Sequence, residues 1–127
     1  MQARLLNGVA LAYIGDAYFE LSVRQYLLSL GFTKVNELHK KAIKYTSGQS
    51  QSDVINQLIA CEYLSETEVG YFKKGRNASG PGRKNIDMQT YHNSTGFEAV
   101  VGFLYLEDVK RADEFITKVI EVVNSKG

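Results

Sequence analysis

Along most of the chain the apolar positions step by three and four. Between residues 109 and 124, Val109, Ala112, Phe115, Ile116, Val119, Ile120 and Val123 draw one stripe down an amphipathic helix. Val54, Ile55, Leu58, Ile59 and Tyr63 repeat the pattern in the middle of the chain. Ser65-Glu66-Thr67-Glu68 has the spacing of a capping box and predicts a helix start. Gly31, after a run of leucines, predicts a helix stop. No strand-like alternation of useful length and no hairpin turn pair occurs. The expectation is an all-α domain of five or six helices, at about 4–29, 34–45, 49–63, 66–74, 89–106 and 109–124.

The segment KKGRNASGPGRKN, residues 73–85, breaks the pattern with three glycines and the only proline. Residues 75–86 are expected to form a flexible basic loop. At 127 residues the chain suits a single domain spanning 1–127. Hydrophobic residues make up 44% of it, enough for a packed core. Cys61 is the only cysteine, so no intramolecular disulfide can form, and a reducing compartment is the simplest reading. Gly15-Asp16 interrupts the first apolar run before a signal-peptide cleavage site could follow, and no stretch approaches the ~20 apolar residues of a membrane span. A cytoplasmic protein without membrane contact is expected.

The net charge of +1 conceals a segregated distribution. From Val69 to Ile86 there are five bases, Lys73, Lys74, Arg76, Arg83 and Lys84, and no acid. Four lysines lie between Lys34 and Lys44, and the segment Glu107–Glu121 holds five acids against three bases.

Two apolar stretches rich in small residues each carry a carboxylate. One is LAYIGDAYFEL, residues 11–21, with Asp16 and, four residues on, Glu20. The other is YHNSTGFEAVVGFLYL, residues 91–106, with Glu98. Alanine follows Asp16 and Glu98 directly, and Gly15, Gly96 and Gly102 lie close by, which would let helices approach and leave room beside the acids. An unpaired charge on a buried face is costly, and two facing carboxylates repel unless a proton or cation lies between them. Mg²⁺ takes oxygen ligands, often one or two carboxylates and several waters, and can support phosphodiester hydrolysis. Two simpler readings stand beside this one. Asp16 and Glu20 share a helical face and could line a solvated stripe. Thr95-Gly96-Phe97-Glu98 fits a capping box and could start a helix.

Taken together these motifs resemble a known family. ALAYIGDAYFEL resembles the signature helix of the ribonuclease III endonuclease domain, built on Gly-Asp-Ala, and STGFEAVVGFLYL resembles its second acidic helix. FTKVNELHKKA, KKGRNA and QTYHNSTGFEA resemble the short bacterial branch, Mini-ribonuclease III, and the likeness covers essentially the whole chain. The resemblance implies the helical ribonuclease III fold, a homodimer, and Mg²⁺-dependent cleavage of double-stranded RNA. It implies maturation of large-subunit (23S) ribosomal RNA ends, aided by a large-subunit ribosomal protein, and no separate double-stranded-RNA-binding domain. By position, Asp16 falls on the family's catalytic aspartate and Glu98 on its catalytic glutamate, both metal-holding. Longer members carry further acids where this chain has Val9, Ala12 and Thr95, which leaves the number of metal ions open. Those missing acids also motivate an alternative, a helical RNA-binding or ribosome-assembly module that has lost catalysis.

A nuclease for duplex RNA reads shape and phosphate spacing, because the A-form major groove hardly admits side chains. Lys73, Lys74, Arg76, Arg83 and Lys84 are expected to meet phosphates, and Arg76 and Asn77 to reach minor-groove hydroxyls. Surface or hydrogen-bonding roles are expected for His39 and His92. The first helix, with Tyr13, Ile14, Tyr18 and Phe19, is expected to supply part of the dimer contact, since two sites are needed for two strands.

Overall fold

The computed structural model describes residues 1–81 and 87–126. After a 3₁₀ turn at Ala3–Leu5 come six α-helices: α1 Gly8–Ser29, α2 Val35–Thr46, α3 Gly48–Ala60, α4 Glu66–Ala78, α5 Met88–Glu107 and α6 Val109–Ser125. Helices α1, α3, α4 and α6 and the 3₁₀ turn all contact α5, which is the spine of the fold. Its buried residues include the consecutive run Ala99, Val100, Val101 and Gly102, so it is enclosed on every side. Helix α6 shows the one-sided stripe expected of a covering helix, with Ala112, Phe115, Ile116, Val119, Val122 and Val123 buried. Val109, at the end of the expected stripe, is exposed. Phe19, Phe97 and Phe115 meet at the centre, with ring centroids 4.9 Å apart for the first two and 5.6 Å for the last two.

Three helix boundaries, the start of α1 and the ends of α3 and α4, depart from the sequence-based expectation by three residues or more. Helix α1 starts at Gly8, four residues later than expected, because Asn7 takes an extended conformation and its side chain accepts from the Ala10 N–H. Helix α3 stops at Ala60 in a Schellman turn. Glu62 N–H bonds to the Ile59 carbonyl at 3.1 Å and Tyr63 N–H to the Leu58 carbonyl at 3.0 Å, with Glu62 at a φ of 60°. Helix α4 continues to Ala78, so Lys73, Lys74, Arg76 and Asn77 lie on a helix; of the expected 75–86 loop, residues 79–81 leave it and 82–86 lie outside the described residues. Helix α5 begins at Met88, capped by Asp87, so Thr95 and Glu98 lie mid-helix and the capping-box reading of that pair fails. The expected boundary signals at Gly31, with a φ of 97°, and at Ser65–Glu68 hold; both halves of the capping box are formed.

Glycines set the approach of α1, α4 and α5. A Cβ on Gly15 would lie 1.8 Å from the Glu98 carbonyl oxygen, and one on Gly102 2.0 Å from that of Leu11. One on Gly75 would lie 2.5 Å from the Ala99 Cβ, and one on Gly8 2.4 Å from the Lys74 carbonyl oxygen. These glycines therefore make room for a neighbouring element. This is also why Gly75 does not end α4: its missing side chain is what lets that helix lie on α5. No described helix is long and apolar enough to cross a membrane.

Candidate active site

Helices α1 and α5 run antiparallel, since Gly15 rests on Glu98 while Leu11 rests on Gly102. Asp16 follows Gly15 and is exposed, and Glu98 is half-buried. The main-chain contact at Gly15 thus makes the two helical positions that carry the acids neighbours across the helix pair. Glu20 is committed elsewhere, to an exposed ion pair with Arg24 one turn on, 3.6 Å between Nε and Oε2.

Val9, Ala12 and Thr95, the positions at which the resemblance implies further acids in longer members, add no charge here. Ala12 is buried with Ala3, Leu11 and Ala99 in a small apolar cluster. Val9 is 50% exposed. The Thr95 hydroxyl donates to the Tyr91 carbonyl at 3.1 Å. Among the described residues no group of three or more His, Cys, Asp or Glu side chains gathers in one place. The oxygen donors at Asp16 and Glu98 nevertheless fit Mg²⁺, which uses one or two carboxylates and fills its remaining positions with water and phosphate oxygens.

The basic residues lie on the neighbouring helix. Gly75 packs α4 against Thr95, Gly96 and Ala99, within a turn of Glu98, and the Lys74 carbonyl abuts Gly8 at the start of α1. Lys73 and Asn77 are exposed, and Lys74 and Arg76 half-buried. The Lys74 ammonium lies 5.6 Å from the Tyr71 ring centroid and the Arg76 guanidinium 5.4 Å from that of Phe72. Each of these two charges thus lies near an aromatic ring on its own helix. Arg83 and Lys84, expected to act with them, lie outside the described residues. Between the end of α4 and the start of α5 is a cleft lined by Arg76, Asn77, Ser79, Gln89, His92 and Asn93. The residue-type pattern did not single out Ser79, which closes α4 and bonds to His92; only the helical reach of α4 beyond Gly75 would have revealed it.

Residues 9–108 match the Ribonuclease III domain. The chain belongs to that family. Within it, the similar proteins carry the name Mini-ribonuclease 3. The one from Acholeplasma laidlawii is 42% identical over 96% of this chain and 98% of its own length. The one from Enterococcus faecalis is 46% identical over 93% and 91%. A crystal structure of a Fusobacterium nucleatum protein superposes with a TM-score of 0.79 at 29% identity, covering 95% of this chain and 93% of that one. This ribonuclease III domain is thus an endoribonuclease, as its match to the family and its named relatives support.

The first helix divides its aromatic residues between two tasks. Phe19 is fully buried in the core and is not available to a partner. Tyr18 is held within the chain: its hydroxyl donates to the Asp113 carboxylate, which pushes its ionisation up to about 12, and its ring packs on Tyr105. Ile14 is half-buried. Tyr13 is 84% exposed and stands one turn from Val9 and one from Ala17, both also exposed.

Proposed function

We propose that the protein is a Mg²⁺-dependent endonuclease for double-stranded RNA, with Asp16 and Glu98 as its catalytic and metal-holding carboxylates. The observation that carries this reading is the seat of Gly15 on the Glu98 carbonyl, which makes those two acidic positions neighbours although they are far apart in sequence. When bound, Mg²⁺ lowers the pKa of a water and offsets the charge that develops on the phosphate. The two carboxylates hold and orient, and their small number leaves coordination positions to water and the substrate. Lys73, Lys74, Arg76 and Asn77 meet the RNA backbone on the adjoining helix, and Arg83 and Lys84 serve the same end.

Cleavage of both strands calls for two sites, which a two-fold dimer supplies. The exposed Tyr13, with Val9 and Ala17, supports α1 as the surface through which a second copy docks. In the cell the substrate is the precursor of large-subunit (23S) ribosomal RNA in the cytoplasm, with a large-subunit ribosomal protein assisting. Incubation of long duplex RNA with the protein, with and without Mg²⁺, tests the reading. Asp16→Asn keeps the side-chain volume and removes the charge, so it folds and binds RNA but does not cleave. Metal-independent cleavage, or cleavage by Asp16→Asn, refutes the assignment.

A further inference from the structure

Ser79, the residue that closes α4, is tied on two sides. Its hydroxyl donates to the Arg76 carbonyl at 2.9 Å, and the same oxygen is hydrogen-bonded to Nδ1 of His92 on α5. A hydroxyl has one hydrogen to give and two lone pairs with which to accept. Placing that hydrogen on the Arg76 carbonyl leaves Ser79 a lone pair to accept from an Nδ1–H of the imidazole. The bridge therefore runs from His92 through Ser79 to the backbone of the residue whose guanidinium faces the polar cleft.

That connection falls where the helix most needs one. Gly75 packs α4 onto α5, and Ser79 lies one turn beyond it. Gly80 and Pro81 follow this last turn outside the helix, so it has no helical continuation to steady it. Among the described side-chain hydrogen bonds, His92 to Ser79 is the one that joins this end of α4 to α5. Arg76 in turn donates from Nε to the Asn77 Oδ1 at 3.3 Å, so the two side chains expected to touch RNA are oriented together. On the far side of the cleft Asn93 is anchored by donating to the Ser52 hydroxyl at 3.2 Å.

We propose that His92 is a positioning residue: through Ser79 it holds the last turn of α4 on α5, and so presents Arg76 and Asn77 to the RNA beside the Asp16–Glu98 site. The inference rests on the reading that the basic end of α4 binds substrate. His92 touches no reacting atom, so it acts on substrate binding and leaves the chemical step alone.

Steady-state cleavage of duplex RNA by the full chain tests this with two amides of opposite reach. His92→Asn places an N–H where Nδ1 stands and keeps KM near the parent value. His92→Gln carries its N–H one carbon further out and raises KM by roughly three- to tenfold, the range for one ordinary hydrogen bond. In both variants kcat stays within about twofold, the signature of weakened binding that ground state and transition state share. Ser79→Ala raises KM as His92→Gln does, and the double variant is no worse than either, because the two residues act as one unit. Equal KM values for the Asn and Gln variants, or additive effects in the double variant, overturn the proposal. Arg76→Ala separates the two levels. If it raises KM while the His92 variants do not, this inference alone fails; if it too leaves KM unchanged, the assignment of α4 as the RNA-facing surface fails with it.

Discussion

Gly15 and Glu98 meet main chain to main chain, with 1.8 Å between the place a Gly15 methyl would take and the Glu98 carbonyl oxygen. Both partners are helix backbone, so neither can turn aside as a flexible side chain would. Gly15→Ala must spread α1 from α5 and is expected to cost about 3 kcal/mol or more in urea denaturation, at or above the usual range for overpacking. Gly70, inside α4 with nothing within 4 Å of an added Cβ, is the control. Gly70→Ala is expected to stabilise by about 0.5–1 kcal/mol, the helix-propensity difference.

Glu62 provides a second backbone test. It holds a φ of 60° at the position of the Schellman turn where glycine is the usual occupant. A non-glycine residue there carries a strain of about 1–2 kcal/mol. Part of the relief in Glu62→Gly is lost to the greater freedom of glycine in the unfolded chain. The expected net gain is about 0.5 kcal/mol, read as a higher denaturation midpoint with an unchanged m-value.

The Glu68–Arg111 pair predicts a pH dependence of stability. Burial pushes the Glu68 carboxyl up, but hydrogen bonds from Arg111 and from Ser65 outweigh it and hold the group below its ordinary value of 4.5. The carboxylate receives Arg111 Nε at 2.8 Å and Nη2 at 3.0 Å, and the guanidinium also lies 4.6 Å from the Tyr63 ring centroid. Since the folded-state value is depressed, the contribution is fully present above the unfolded value and drains away as pH falls below it. The slope of stability against pH under about 4.5 should therefore flatten in Glu68→Gln. At neutral pH Arg111→Ala is expected to cost about 1.5–3 kcal/mol, the worth of hydrogen bonds to a charged group.

Charge removal on α4 addresses the RNA-facing surface. Replacing Lys73, Lys74 and Arg76 with alanine should weaken binding to duplexes of many sequences alike. The slope of log affinity against log salt should fall by about one for each phosphate that is no longer neutralised. Unchanged affinity and slope would mean that the duplex docks on another face.

Tyr13→Glu tests the dimer. A carboxylate on the most exposed aromatic residue of α1 should give a monomer in sedimentation and abolish coordinated cleavage of the two strands. The circular dichroism should not change, because the side chain is 84% exposed and supports no core within the chain.

The helical architecture was legible wherever burial followed a period or a cap declared itself. The stripe of α6, the stop at Gly31 and the box at Ser65–Glu68 are local chemistry, and local chemistry is written in sequence. The misread ends have a different cause. Glycine usually breaks a helix, and at Gly75 that propensity was overridden by the packing of α4 on Ala99, which joins distant segments. The start expected at 89 was not misread, since α5 begins at Met88, and only the alternative reading of Thr95 and Glu98 as a cap fails. Asp16 and Glu98 stood out in the sequence by resemblance, but the seat of Gly15 on the Glu98 carbonyl was not legible there, because antiparallel packing of α1 with α5 is a tertiary fact. Phe19 and Tyr13 were read together as interface candidates, though they stand on one helix as a core side chain and an exposed one.

The central place of α5 carries a consequence for biosynthesis. Four helices are made before it, and the aromatic cluster that closes the core needs its Phe97. A chain growing from its N-terminus therefore holds Phe19, Val54, Ile55 and Phe72 without their common partner until translation has passed residue 107. The core around Phe97 therefore closes only after α5, and Phe115 of α6 behind it, have been made.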